Sequence, residues 1–166
     1  MTRDTQWLDE DELAAWVRLV AVVELLPGVL DAQLRRDSGL THFEYFVLAM
    51  LSEAPEQTLR MTALAQQTNA TLPRLSHVVS RLERRGLVAR SPETEDRRAT
   101  NARLTQHGWE TVEAAAPGHV ENVRRHVIDA LTAEQIHQLH AIAGVLLERL
   151  DPDERMRAVY QRPARS

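Results

Sequence analysis

The chain has 166 residues, of which 43% are hydrophobic and 27% charged, with a formal net charge of −4. That length and apolar share describe a globular protein able to bury a core, and they exclude a disordered chain. The absence of cysteine excludes disulfides, thiolate metal sites and cysteine redox switches.

Read for targeting, the apolar run 19–30 is interrupted by Glu24 and by Pro27-Gly28, which argues against a membrane span. The N-terminus carries Asp4, Asp9, Glu10, Asp11 and Glu12 and is unlike a signal peptide. A cytoplasmic location without membrane partners is the default expectation.

In chain order, Asp9–Asp37 is predicted as a first helix. Leu13, Trp16, Val20 and Val23 recur at three- and four-residue spacing, and Leu26, Leu30 and Leu34 extend the stripe. Pro27-Gly28 is expected to kink or break it. So heavy an apolar stripe reads as core packing or as contact with another subunit. After a break at Ser38-Gly39, Thr41 and Glu44 match a capping box, opening a second helix to about Ser52. Thr58–Met61 is a candidate short strand. Thr62 is read as the cap of a short helix, Ala63–Thr68. A polar connection then leads to an amphipathic helix, Thr71–Arg85, ended by Gly86. Its apolar back is Leu75, Val78, Val79 and Leu82; Arg74, His77, Ser80, Arg81 and Arg84 point away. Two short helices in this arrangement, the second arginine-faced, form a helix-turn-helix pattern.

Leu87–Arg90 and Thr100–Leu104 follow as a predicted hairpin, with Leu87, Ala89, Ala102 and Leu104 on one face. The polar tip of this wing carries Arg97-Arg98. Thr105 caps a helix from Gln106 to about Ala130, with a kink expected at Pro117-Gly118. Thr132 and Gln135 form a second capping box, for a last helix Ala133–Leu150. Ile136, Leu139, Ala143, Leu146 and Leu150 there repeat like a coiled-coil seam. The tail from Arg155 is expected to be frayed or loosely docked.

The charge is unevenly spread. Residues 60–103 hold nine arginines against four acids, a balance of +5, and the remainder carries −9. A local positive field on an acidic protein is the footprint of a nucleic-acid contact.

These residues resemble the MarR family of winged helix-turn-helix transcriptional regulators. The likeness is carried by Leu40-Thr41, Met61-Thr62-Ala63-Leu64-Ala65, Leu82-Glu83-Arg84-Arg85-Gly86-Leu87-Val88, and Asp96-Arg97-Arg98-Ala99 followed by Leu104-Thr105 and Gly108. The resemblance implies a mainly α fold with a small β-wing. Its winged helix-turn-helix domain, about 40–108, is flanked by N- and C-terminal dimerisation helices, about 9–37 and 106–150, within one unit of 1–166. It implies a homodimer whose two heads bind a pseudo-palindromic operator in double-stranded DNA, acting as a repressor released by a small-molecule effector.

On this reading Thr71, Arg74, Ser76, His77, Ser80, Arg81 and Arg84 are the DNA-binding residues of the recognition helix. Arginine can bond guanine with two donors, and serine and histidine can bond phosphates. Arg97 and Arg98 of the wing would enter the minor groove, with Asp96 structuring the tip as in the family. Trp16, Phe43, Tyr45, Phe46 and Trp109 lie on helices that the family places around a crevice and are the candidate effector pocket; aromatics at helical spacing are also ordinary core.

Histidines three apart (His137, His140) and seven apart (His119, His126) keep a zinc-responsive regulator as an alternative, although no metal-binding motif supports it and no cofactor is expected. A winged dimer acting through protein partners is the other alternative. No phosphate loop, nucleophile elbow or cysteine nucleophile is present, and adjacent Ser76 and His77 diverge around a helix too far to form a dyad. An enzyme is not expected.

Overall fold

In a computed structural model, which describes residues 5–93 and 99–161, helices carry most of the chain around one small sheet. The first helix, α1 (Glu10–Ser38), starts at a capping box: Asp9 Oδ1 accepts from the Glu12 amide at 2.9 Å, and Glu12 Oε2 accepts from the Asp9 amide at 3.0 Å. Three acids in its first turn and two arginines in its last complement the helix dipole. It stops at Gly39, whose φ of 64° is left-handed.

Of the kink or break expected at Pro27, the break does not occur: α1 continues from Glu10 to Ser38. Proline removes one donor and displaces the carbonyl four residues earlier, at Val23. Both residues are exposed, so water can satisfy the freed group and the helix can continue. By length and composition α1 is apolar and long enough to cross a membrane, and of the two interruptions read in the sequence, Glu24 and Pro27-Gly28, the second does not break the helix. Its last part is committed to protein: Leu30, Gln33 and Leu34 are buried, and Asn122 donates to the Val29 carbonyl at 3.4 Å.

The second helix, α2 (His42–Glu53), begins at the capping box of Thr41 and Glu44. A 3-10 turn, Pro55–Gln57, leads to β1 (Thr58–Arg60) and directly into α3 (Met61–Gln67). Thr62 is not the cap of α3. The helix begins two residues earlier than expected, at Met61, with Arg60 in the cap position and no side-chain cap bond. Next come α4 (Leu72–Arg84), β2 (Val88–Pro92) and β3 (Thr100–Leu104). The sheet is antiparallel in the order β1-β3-β2.

The hairpin register corrects one expectation. Val88 pairs with Leu104 and Arg90 with Ala102, while Ala89 pairs with Arg103. Val88 is buried and Ala89 exposed, so the inward face belongs to Val88, Ala102 and Leu104. Leu87 reaches the core from the turn before the strand, where strand alternation does not yet apply.

The fifth helix, α5 (Gln106–His126), is capped by Thr105, whose Oγ1 accepts from the Gly108 amide at 2.9 Å. It also continues through its proline, Pro117, and gives way at Ile128–Ala130 to a 3-10 turn. Gly108 is required by close packing: a Cβ there would collide with the Leu87 carbonyl and lie 2.7 Å from Leu104 Cδ1. A capping box of Thr132 and Gln135 opens α6 (Ala133–Leu150).

The tail is better anchored than expected. The buried Asp151 carboxylate accepts from the backbone amides of Arg155 at 2.9 Å and Met156 at 2.8 Å, and from the Tyr160 hydroxyl at 3.3 Å. These bonds form α7 (Arg157–Tyr160), which packs on α3 and sets Val159 against the core.

Burial is concentrated in the lobe from α2 to β3, where Leu48, Leu64, Leu75, Leu82, Leu87 and Leu104 are fully enclosed. By contrast α6 buries no residue, and Leu13, Trp16, Val20, Val23, Ile142 and Val145 stand exposed on α1 and α6.

Candidate nucleic-acid interface

The interface is built on α4. Thr71 caps it, its Oγ1 accepting from the Arg74 amide at 3.4 Å, and Pro73 occupies the first turn, where a missing donor is harmless. Leu75, Val78, Val79 and Leu82 are buried and fix the helix by its back. Successive residues turn by about 100°, so the rest divides into three stripes. Pro73, His77, Ser80 and Arg84 lie opposite the core. Leu72, Ser76 and Glu83 flank them on the wing side; Arg74, Arg81 and Arg85 flank them on the α2 side.

On the α2 side, Arg81 donates through Nε and Nη2 to Glu44 Oε1 at 3.0 and 2.8 Å, and Arg85 Nη1 lies 3.8 Å from Glu44 Oε2. Glu44 is buried, and its other oxygen caps Thr41. Burial alone would raise its pKa, but hydrogen bonds from the Thr41 amide and from Arg81 outweigh that and hold the carboxyl below its usual range. Arg81, read from sequence as a DNA contact, is thus engaged in bolting α4 to α2. Arg74 instead places its guanidinium carbon 4.3 Å from the centroid of the Phe43 ring.

On the wing side, Arg90 donates to Glu83 through Nε at 2.9 Å, Nη2 at 2.7 Å and its backbone amide at 3.2 Å. Arg60 Nε meets Glu93 Oε2 at 2.7 Å. These pairs tie β2 to α4 and β1 to the wing base. Between them a cleft of about 200 Å³ is lined by Arg60, Thr62, Leu72, Ser76, Arg90 and Thr100. Of the seven described arginines in the basic stretch, 60, 81, 85 and 90 are paired with carboxylates. Arg74, Arg84 and Arg103 are exposed, with no such partner among the described residues. Asp96, Arg97 and Arg98 lie outside the described residues.

A helix with a buried back and a cationic front, beside a two-stranded wing, can be compared with known proteins. The family model described as "MarR family" matches residues 40–100. Sco3205 of Streptomyces coelicolor, a MarR family transcriptional regulator solved in complex with DNA, is 42% identical; the match covers 91% of this chain and 94% of that one, with a TM-score of 0.86. This chain belongs to the MarR family.

AbsC of the same organism, another MarR family regulator, is 40% identical over 88% of this chain and 98% of its own, with a TM-score of 0.83. The HTH-type transcriptional repressor YetL of Bacillus subtilis is 30% identical over 68% of this chain and 66% of its own length, just under two thirds. As a MarR family protein, the chain is a DNA-binding transcriptional regulator and not an enzyme.

Within this MarR family fold the five aromatics proposed for an effector pocket do not share one cavity. Trp109 lines an apolar cleft of about 340 Å³ with Ser52, Val112, Pro117 and Val120. Phe43 lies under Arg74, and Tyr45 packs on His119 with ring centroids 4.6 Å apart. Phe46 is half-buried against the core, and Trp16 is 54% exposed on α1.

The histidines are separated in the same way. His119 faces His42 at 6.2 Å between ring centroids, whereas His126 Nδ1 contacts the Asn122 carbonyl at 3.0 Å; His137 and His140 are exposed on α6. Among the described residues, no group of three or more histidines or acids could hold a metal ion. The Glu44 and Phe43 contacts to α4 were missed from sequence. The only signal was that both sit at the start of a capped helix.

Proposed function

We propose that the protein is a homodimeric, cytoplasmic repressor that binds a pseudo-palindromic operator through α4 and the wing, and that a small-molecule effector releases it. The observation that carries this reading is the outer face of α4, where Arg74, His77, Ser80 and Arg84 project from a helix whose back is locked in the core. Such a helix fits the major groove, with residues of its first turns against base edges. Thr71 and Ser76 would contact phosphates. Arg97 and Arg98 would enter the minor groove, with Asp96 shaping the tip.

Dimerisation is supported by the exposed apolar faces of α1 and α6, which a second copy would cover within a single unit of 1–166. The repressor assignment is supported by the names of YetL and of MdtR from B. subtilis. The Trp109 cleft is the effector site favoured by its apolar lining.

The test is a gel shift on DNA upstream of the gene, with wild type and with Arg97→Ala/Arg98→Ala. Wild type should bind with a steep salt dependence, and the double variant should bind at least tenfold more weakly. Unchanged binding by the variant would refute the wing contact. A monomer by light scattering would refute the dimer.

A further inference from the structure

We infer that Phe43 is a specificity-positioning residue: its ring is the platform that holds the Arg74 guanidinium in place to read one base pair of each half-site. The inference rests on the DNA-reading role of α4 and deepens it.

The three arginines on the α2 side of α4 are held by two consecutive residues of α2, and they are held differently. Glu44 takes Arg81 through two N–H donors and attracts Arg85, which neutralises charge and occupies donors. Phe43 takes Arg74 by its face, with the guanidinium carbon 4.3 Å from the ring centroid, within the roughly 6 Å range of cation–π attraction. A ring face uses no N–H. All five donors of Arg74 stay in the guanidinium plane, available for the two-pronged contact that guanine offers.

The platform itself is rigid. Phe43 is half-buried, packs against the main core cluster, and sits in the first turn of a helix fixed by the Thr41–Glu44 capping box. Arg74 is the third residue of α4, in the turn from which recognition helices reach base edges. A long, exposed side chain ordinarily loses affinity by having to order itself on binding. Resting on the ring, Arg74 is ordered beforehand. Aromatics at the start of α2 were read from sequence as candidates for an effector pocket; for Phe43 the side chain faces the opposite task.

The experiment is a selection from duplexes carrying about 25 randomised base pairs, room for two half-sites one helical turn apart. It is run with full-length wild type, Phe43→Leu, Phe43→Tyr and Arg74→Ala, and affinities are then measured on the enriched duplex and on the unselected pool. Wild type should enrich a two-fold consensus. Arg74→Ala should lose preference at one base pair per half-site. Phe43→Leu should flatten the same base pair and weaken the enriched duplex about threefold per half-site, on the order of tenfold in all, from the cation–π contribution. Phe43→Tyr should restore both, and all four proteins should bind the unselected pool alike, apart from the charge lost in Arg74→Ala. A wild-type consensus that Phe43→Leu reproduces at unchanged affinity would overturn the platform. So would a Phe43→Leu loss equal on the enriched duplex and the pool, which is the mark of packing damage. If wild type enriches no sequence, the regulator reading itself fails, and this inference with it.

Discussion

Replacing Glu44 with alanine should cost about 2–3 kcal/mol of stability. Three losses add up to that figure. The Thr41 amide gives up its acceptor at the start of α2, and loss of that half of the capping box costs about 1 kcal/mol. The Arg81 pair is charge-assisted, but the Arg81 side chain is 41% exposed, so solvent recovers part of it and roughly 1 kcal/mol is lost. Glu44 itself is 3% exposed, and truncation leaves a small void costing about 1 kcal/mol more. For a chain of this size the melting temperature should fall by about 5–10 °C, measured at fixed protein concentration because association contributes. Glu44→Gln keeps the volume and an acceptor and should lose about half as much. If Glu44→Ala melts within about 1 °C of wild type, the bolt between α2 and α4 does not carry the load assigned to it. If Arg81→Ala leaves melting unchanged while DNA affinity falls, Arg81 is a DNA contact after all.

Gly108→Ala should destabilise by about 2 kcal/mol or more, because its Cβ meets the Leu87 backbone and not a flexible chain end; chemical denaturation measures it. Asp151→Ala should release α7, seen as faster amide exchange in residues 155–160 with little change in exchange within α4; unchanged exchange would show that Val159 alone holds the tail. The pKa values of His42 and His119 are both lowered by burial, His119 further by the neighbouring His42. The unfolded chain therefore takes up protons that the folded chain refuses. Stability should be full above about pH 6.5 and fall as the pH drops below it, even though Asp31 favours the charged form of His42. Thermal melts between about pH 7.5 and 5 should show this decline, and His119→Phe should flatten it; a wild-type profile that rises on acidification would refute it.

Much of the fold was legible because capping is local chemistry. The pairs Thr41/Glu44 and Thr132/Gln135, the cap Thr105 and the break at Gly39 all stand where their side chains or φ demanded. The four-residue stripe of α4 likewise located its buried back. What was not legible depended on surroundings. Pro27 does not break α1 because it sits on an exposed face where the freed carbonyl can be hydrated, a fact about burial and not about proline. Ala89 and Val88 are both small and apolar, and only pairing with Leu104 decides which faces in. Arg81 and Arg84 are the same residue type three apart. One meets Glu44 across thirty-seven positions of sequence and the other meets solvent, and no local pattern distinguishes them.

The strand order β1-β3-β2 sets how the hairpin transmits force. Over Asn101–Arg103, β3 is held on both edges, by β1 and by β2; at Thr100 only Pro92 of β2 is opposite. The hairpin is thus held on both edges at the end where β1 runs into α3. A change at Ala102, which lies opposite Leu59 on one edge and Arg90 on the other, would disturb both pairings of β3 at once.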